Sequence, residues 1–225
     1  MIYVTVPGDT VSSISRQSGV PVWKIIYDNQ LGEEGELTVG QALLLLKPQE
    51  SAEIREDLYV TGYAYPFIEP YVLEMAFPAL NELLVFSYGF TFEGELVPPI
   101  QDETWMIQLA WENGIEPMLV LTPFTQGVFN NQLIQTLVEE ESVRENVITN
   151  LLKVVEEKGY VGVDVDFEYV RAQNREGYAE FVGELRAAMN EKGYRVSVAL
   201  APKTSSDQKG LLYEGIDYAL LGEQA

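Results

Sequence analysis

The sequence predicts an α/β protein in which repeated strand–helix units follow a small β-α-α-β module. Three observations carry that prediction. After residue 57, strand-like runs alternate with helical runs at about 30–45 residues per unit, the pattern of parallel β/α architecture. Before residue 48, a strand, two short helices and a second strand follow one another closely. Between them, residues 49–57 are polar and charged and read as a linker. The expected domains are therefore 1–48, a linker over 49–57, and 58–225.

Composition sets the limits on function. With 47% hydrophobic and 11% aromatic residues among 225, the chain can bury a substantial core. A net charge of −21, from 35 acids against 14 bases, argues against nucleic acid and membrane surfaces as partners. There is no cysteine, which rules out disulfides and thiol chemistry, and no histidine, which leaves acid/base work to carboxylates, Tyr or Lys. Zinc and other metals that prefer nitrogen or sulfur are disfavoured for the same reason, and no cofactor is indicated. The N-terminus enters a strand pattern directly, with no basic or apolar leader, so no classical signal peptide is expected.

In the first unit, residues 3–6 alternate as a strand, and Pro7, Gly8 and Asp9 punctuate a turn. Asp9 or Thr10 can cap a helix running to about residue 18, which Gly19 ends. Pro21 opens a second helix that stops at Asp28 and Asn29, and residues 43–46 return as a strand. In the second unit, strands are expected over 58–65, 82–90, 116–123, 159–169 and 194–202. Helices are expected near 69–77, 102–113, 131–158 and 175–192, the third breaking near 139–142 with Ser142 as a cap. A further helix is expected from residue 215. Trp105 and Trp111, six residues apart on a helix, read as packing residues.

Asp164, Asp166 and Glu168 occupy alternate positions of the expected strand 159–169. Side chains alternate faces along a strand, so the three acids share one face, ~7 Å apart, and Val163, Val165 and Phe167 take the other. Helical patterns on both sides argue for a covered strand rather than a solvated edge. Like charges in one site drive at least one pKa upward, which suits a coupled acid/base set. An oxygen-ligated divalent cation is the competing reading of the same three carboxylates.

The run Tyr3-Val4-Thr5-Val6-Pro7-Gly8-Asp9-Thr10, with Ile14, Gly19-Val20, Asp28-Asn29 and Val39-Gly40-Gln41, resembles a LysM module. That resemblance implies binding of N-acetylglucosamine polymers, peptidoglycan or chitin. The sugar would lie between the loops near Gly8, Asp9, Thr10 and Val11 and near Asp28 and Asn29. Residues 58–225 resemble the first part of a family 18 glycoside hydrolase domain. The acids match the last three of its Asp-x-x-Asp-x-Asp-x-Glu motif, with Val161 at the first position. Gly62-Tyr63-Ala64-Tyr65, Phe86-Ser87-Tyr88-Gly89-Phe90 and the run from Val196 to Lys203 match other strands of that family.

The resemblance implies a (β/α)8 barrel, of which about five of the eight strands lie in this chain. It also implies hydrolysis in which the substrate's own acetamide attacks the anomeric carbon. Glu168 would protonate the leaving oxygen, Asp166 would hold the acetamide N–H, and Asp164 would share a proton or hydrogen bond with Asp166. Tyr63, Tyr65, Phe86, Tyr88, Phe90 and Tyr169 are candidate sugar-stacking residues, with core packing as the alternative for each. Lys203 is a candidate sugar hydrogen-bond donor or a solvated loop lysine. Spore cortex-lytic proteins pair the same two modules, which implies a spore or cell-envelope location. The rival reading is a glycan-binding wall protein whose hydrolase fold is incomplete. Five parallel strands would also leave open sheet edges, a route to self-association.

Overall fold

The computed structural model describes residues 1–32, 35–47, 58–125 and 128–224. They form two compact units, Met1–Leu58 and Tyr59–Ala225. The stretch read as a linker, 49–57, lies outside the described residues.

The first unit contains β1 (Ile2–Val4), α1 (Val11–Ser18), α2 (Val22–Asp28) and β2 (Ala42–Leu44). The strands pair antiparallel, Tyr3 opposite Leu43. Of the two candidate caps it is Thr10 that caps α1: its side chain accepts from Ser13 N–H, and Ser13 reciprocates in a capping box. Gly19 closes the helix at φ 74°, a left-handed position that costs glycine little. Val11, Ile14, Val20, Ile25, Leu43 and Leu45 form the unit's own core.

The second unit contains, in order, β3 (Thr61–Ala64), α3 (Pro70–Ala76), β4 (Glu82–Phe90), β5 (Leu96–Val97), α4 (Thr104–Glu112), β6 (Glu116–Leu121), β7 (Phe124–Thr125), β8 (Val128–Phe129), α5 (Asn131–Glu139), α6 (Glu141–Lys158), β9 (Gly162–Val165), α7 (Arg175–Glu191), β10 (Arg195–Val198) and α8 (Tyr218–Gln224). The main sheet runs β10-β9-β6-β4-β3 with every pairing parallel. Short β5 adds to β4 antiparallel, and β7 and β8 form a hairpin; two-residue strands are too brief for periodicity to reveal. The break between α5 and α6 falls where the sequence suggests, but the cap is Glu140, and Ser142 lies inside α6. Gly159, at φ 80°, ends α6 and turns the chain into β9.

Alternation divides the sheet residues between two layers. Leu83, Val85, Leu119, Leu121, Val163 and Val165 face the helices and join the main core. Leu84, Met118 and Val120 form a separate cluster on the opposite, inner face, with Phe86 packed against it. Tyr63 on β3 donates to Asp164 on β9, at 2.8 Å, across two intervening strands. In a flat sheet those strands would be about 14 Å apart at ~4.8 Å per step. The sheet must therefore curl, as the wall of a barrel does.

Candidate functional site

Strand β9 ends at Val165, earlier than its sequence suggests, so Asp166 and Glu168 lie just beyond it. Alternation nevertheless continues: Asp166 N–H still donates to Leu121 O at 3.0 Å, and Phe167 is buried on the helix side. Phe167 stacks against Phe90, Tyr178 and Phe181, which fixes the backbone that carries the acids on either side of it. Burying Val163, Val165 and Phe167 contributes roughly 1.5–3 kcal/mol each. Those residues hold the acid row in register.

Asp164 sits deepest, with 3% of its surface exposed. It is opposite Val120 on β6 and Ser197 on β10, both on the inner face. Ser197 Oγ donates to Asp164 Oδ1 at 2.5 Å and Tyr63 OH to Oδ2 at 2.8 Å. Burial raises the Asp164 pKa, and the two hydroxyls act against that rise. The Tyr63 phenol is itself pushed far up, chiefly by burial and then by the charge of Asp164, so it remains a proton donor. The Asp164 oxygens accept from Tyr63 and Ser197, and no direct hydrogen bond joins Asp164 to Asp166. Asp166, one step toward the mouth, has its pKa lifted to about 6 by burial, then by the charges of Asp164 and Glu168. Glu168 follows, half-buried, and Tyr169 turns the chain at φ 61°, a left-handed conformation that costs a side-chain-bearing residue ~1–2 kcal/mol.

The other candidates separate by layer. Tyr63, Tyr65 and Tyr169 are exposed and Phe86 half-buried. Tyr65 stacks on Phe67 (4.9 Å) and packs on Phe86 (4.8 Å), and Tyr169 meets Phe129 edge-on at 6.4 Å. Tyr88 and Phe90 are buried in the main core instead. The Tyr88 hydroxyl donates to buried Glu103 at 2.5 Å, and Lys158 Nζ reaches the same oxygen at 2.7 Å. Odd and even positions of β4 exchange faces at the register shift between Val85 and Tyr88, which period-two reasoning cannot anticipate. Lys203 donates to the carbonyls of Ser206, Tyr213 and Ile216 and anchors its own loop. Trp105 packs on the main core, and exposed Trp111 donates from its indole to Gly159 O at 2.9 Å.

Among the first-unit candidates, Gly8 is exposed at φ 91°. The Asp9 carboxylate accepts from Tyr3 OH and Val6 N–H, which makes it a turn-former. Thr10 is the cap already described, and Val11 is buried in the unit's core rather than lining a groove. Asp28 pairs with Lys24 at 3.1 Å. The Asn29 amide bonds Ile25 O and both the N–H and C=O of Leu44, tying α2 to β2.

Ser197 was not singled out from the sequence. A serine two residues into a strand gives no signal until β10 is known to pair with β9. Residues 3–45 match the model of the LysM domain, and residues 127–223 match that of the glycosyl hydrolases family 18. Similarity to LysM domains thus precedes similarity to family 18 glycosyl hydrolases along the chain. The family 18 match spans the acid row, Tyr169 and Ser197. A cortical fragment-lytic enzyme of Bacillus subtilis is 33% identical over 149 residues, 66% of this chain and 34% of that protein. The crystal structure of the spore cortex-lytic enzyme SleL from Bacillus megaterium superposes with a TM-score of 0.70 at 27% identity, over 100% of this chain and 52% of that one. Its Bacillus cereus counterpart gives 0.67 at 29% identity, over 99% of this chain and 51% of that one. The chain thus spans a third to a half of the length of these relatives. The curled parallel sheet and the family 18 match are those of part of a (β/α)8 barrel.

Proposed function

We propose that the chain is a glycosidase for β-linked N-acetylglucosamine polymers, peptidoglycan of the spore cortex or cell envelope before chitin, held on its substrate by the LysM module. The observation that supports it most is the graded acid row. Asp164 is buried and bound by two hydroxyls, Asp166 is lifted to about 6, and half-buried Glu168 follows two residues further along the chain. In this reading the substrate's acetamide oxygen attacks the anomeric carbon, the exception to the two-carboxylate scheme. Glu168 donates its proton to the departing glycosidic oxygen. Asp166 accepts the acetamide N–H and stabilises the positive charge that develops on the ring. Asp164 sets the charge that Asp166 feels. Tyr63, Tyr65, Phe86 and Tyr169 supply aromatic surface beside the row.

The test compares the chain with Glu168→Gln on purified peptidoglycan, reading reducing ends by mass spectrometry and retention by sedimentation. Loss of general acid catalysis costs about 10²–10⁴ in rate, and retention should be unchanged. Retained turnover in the variant would end the assignment of Glu168. Binding without turnover in the unsubstituted chain would favour the second reading, a glycan-binding wall protein.

A further inference from the structure

The first unit has a concave surface whose lining includes none of Gly8, Asp9, Thr10, Val11, Asp28 or Asn29. A cavity of about 930 Å³ opens between the last turn of α1, the start of α2 and the end of β2, with Gln17, Ser18, Trp23, Lys24, Leu46 and Lys47 in its wall. Trp23 is 59% exposed and has no place in the unit's core. An indole left in water forfeits its burial energy, and it offers a flat apolar face to whatever occupies the cavity. Acids outnumber bases 35 to 14 overall, yet the described lining residues include two lysines and no acid. Lys24 is held by Asp28 at 3.1 Å, whereas Lys47 is exposed at the rim.

An apolar platform, amide and hydroxyl groups beside it and an amine at the rim suit a ring with one apolar face, polar edges and an anionic substituent. We infer that this face binds a carboxylate-bearing amino-sugar strand. A pyranose ring stacks on Trp23, its amide and hydroxyl groups meet Gln17 and Ser18, and the carboxylate turns toward Lys47. The inference rests on the reading of residues 3–45 as a glycan-binding module and adds a second face to it. Two faces on one module let it hold two strands at once, which multiplies retention on an insoluble polymer.

Retention of the full chain on insoluble peptidoglycan, which carries carboxylates, and on chitin, which is neutral, tests the assignment. Trp23→Ala should weaken retention on peptidoglycan about tenfold, the size of a lost stacking contact, with an unchanged thermal unfolding curve. Lys47→Glu should weaken peptidoglycan retention about fivefold and leave chitin retention within about twofold. Wild-type behaviour of Trp23→Ala on peptidoglycan overturns the site. Equal loss on both polymers in Lys47→Glu overturns the anionic ligand, as does unsubstituted chain that binds chitin and not peptidoglycan. Failure of the unsubstituted chain to bind either polymer removes the module reading together with this one. That outcome is told apart from the others because it needs no variant.

Discussion

Asp166 carries a consequence for stability as well as for chemistry. Its folded pKa, about 6, lies above the ordinary carboxylate value of 3.8. Between those values the unfolded chain ionises while the folded one keeps its proton, so this residue makes stability fall as pH rises from about 4 to about 6. Above that range the penalty is constant, and below it the penalty vanishes. Asp166→Asn should therefore be more stable than the unsubstituted chain at pH 7 and equal to it near pH 3.5. The carboxyl is partly solvated, so the gain is about 1 kcal/mol rather than the near 3 that a full two-unit shift implies. Urea unfolding at the two pH values reads this directly, and an equal difference at both would refute it. Tyr63→Phe removes one of the two hydroxyls on Asp164. It should raise the Asp164 pKa further and lower kcat about tenfold with little change in KM, because the lost contact supports charge formed during reaction. A change confined to KM would show that Tyr63 acts on substrate binding alone.

At the scale of elements, the approach of β9 to β10 depends on Gly162. A Cβ placed there would lie 2.1 Å from Arg195 O, in backbone that pairs with it. Gly162→Ala should cost about 3 kcal/mol or more and disturb the Asp164–Ser197 contact two residues along. Stability within 0.5 kcal/mol of the unsubstituted chain, a roughly neutral result, would contradict this packing. The opposite end of the inner face is tied by charge. Arg195 Nη2 on β10 reaches Glu82 of β4 at 3.0 Å and Glu116 of β6 at 2.7 Å, and Tyr59 OH donates to Glu116 at 2.9 Å. Arg195 is half-exposed but the Glu82 side chain is only 9% exposed, so Arg195→Ala leaves a nearly buried carboxylate with only the Thr61 and Tyr59 hydroxyls as donors. About 1–2 kcal/mol should be lost, less than for a fully buried pair. Arg195→Met, which restores packing but not charge, should recover little of that loss if the ion pairs carry the effect.

Across the whole molecule, a net charge of −21 makes the folded chain repel itself. Its melting temperature should rise by a few degrees between about 0.01 M and about 0.15 M salt, as the screening length falls from ~30 Å to ~8 Å. A flat or falling curve would mean that local ion pairs outweigh the net repulsion. No helix among the described residues is long and apolar enough to cross a membrane.

The order of elements was legible in the sequence because hydrophobic period and turn residues are local. The strand–helix alternation and the break between α5 and α6 follow from residues a few positions apart. What the chain does at a distance was not legible. Tyr63 and Ser197 come from strands far apart in sequence, and only curvature and strand order bring their hydroxyls to Asp164. Tyr88 passed to the helix side because the register shifts within β4, and Lys203 was claimed by carbonyls of its own loop. Within an unbroken strand, side-chain pattern fixes which face a residue occupies. Closure of the sheet on itself decides which other residues share that face, since partner choice is set by packing between strands that local sequence does not encode.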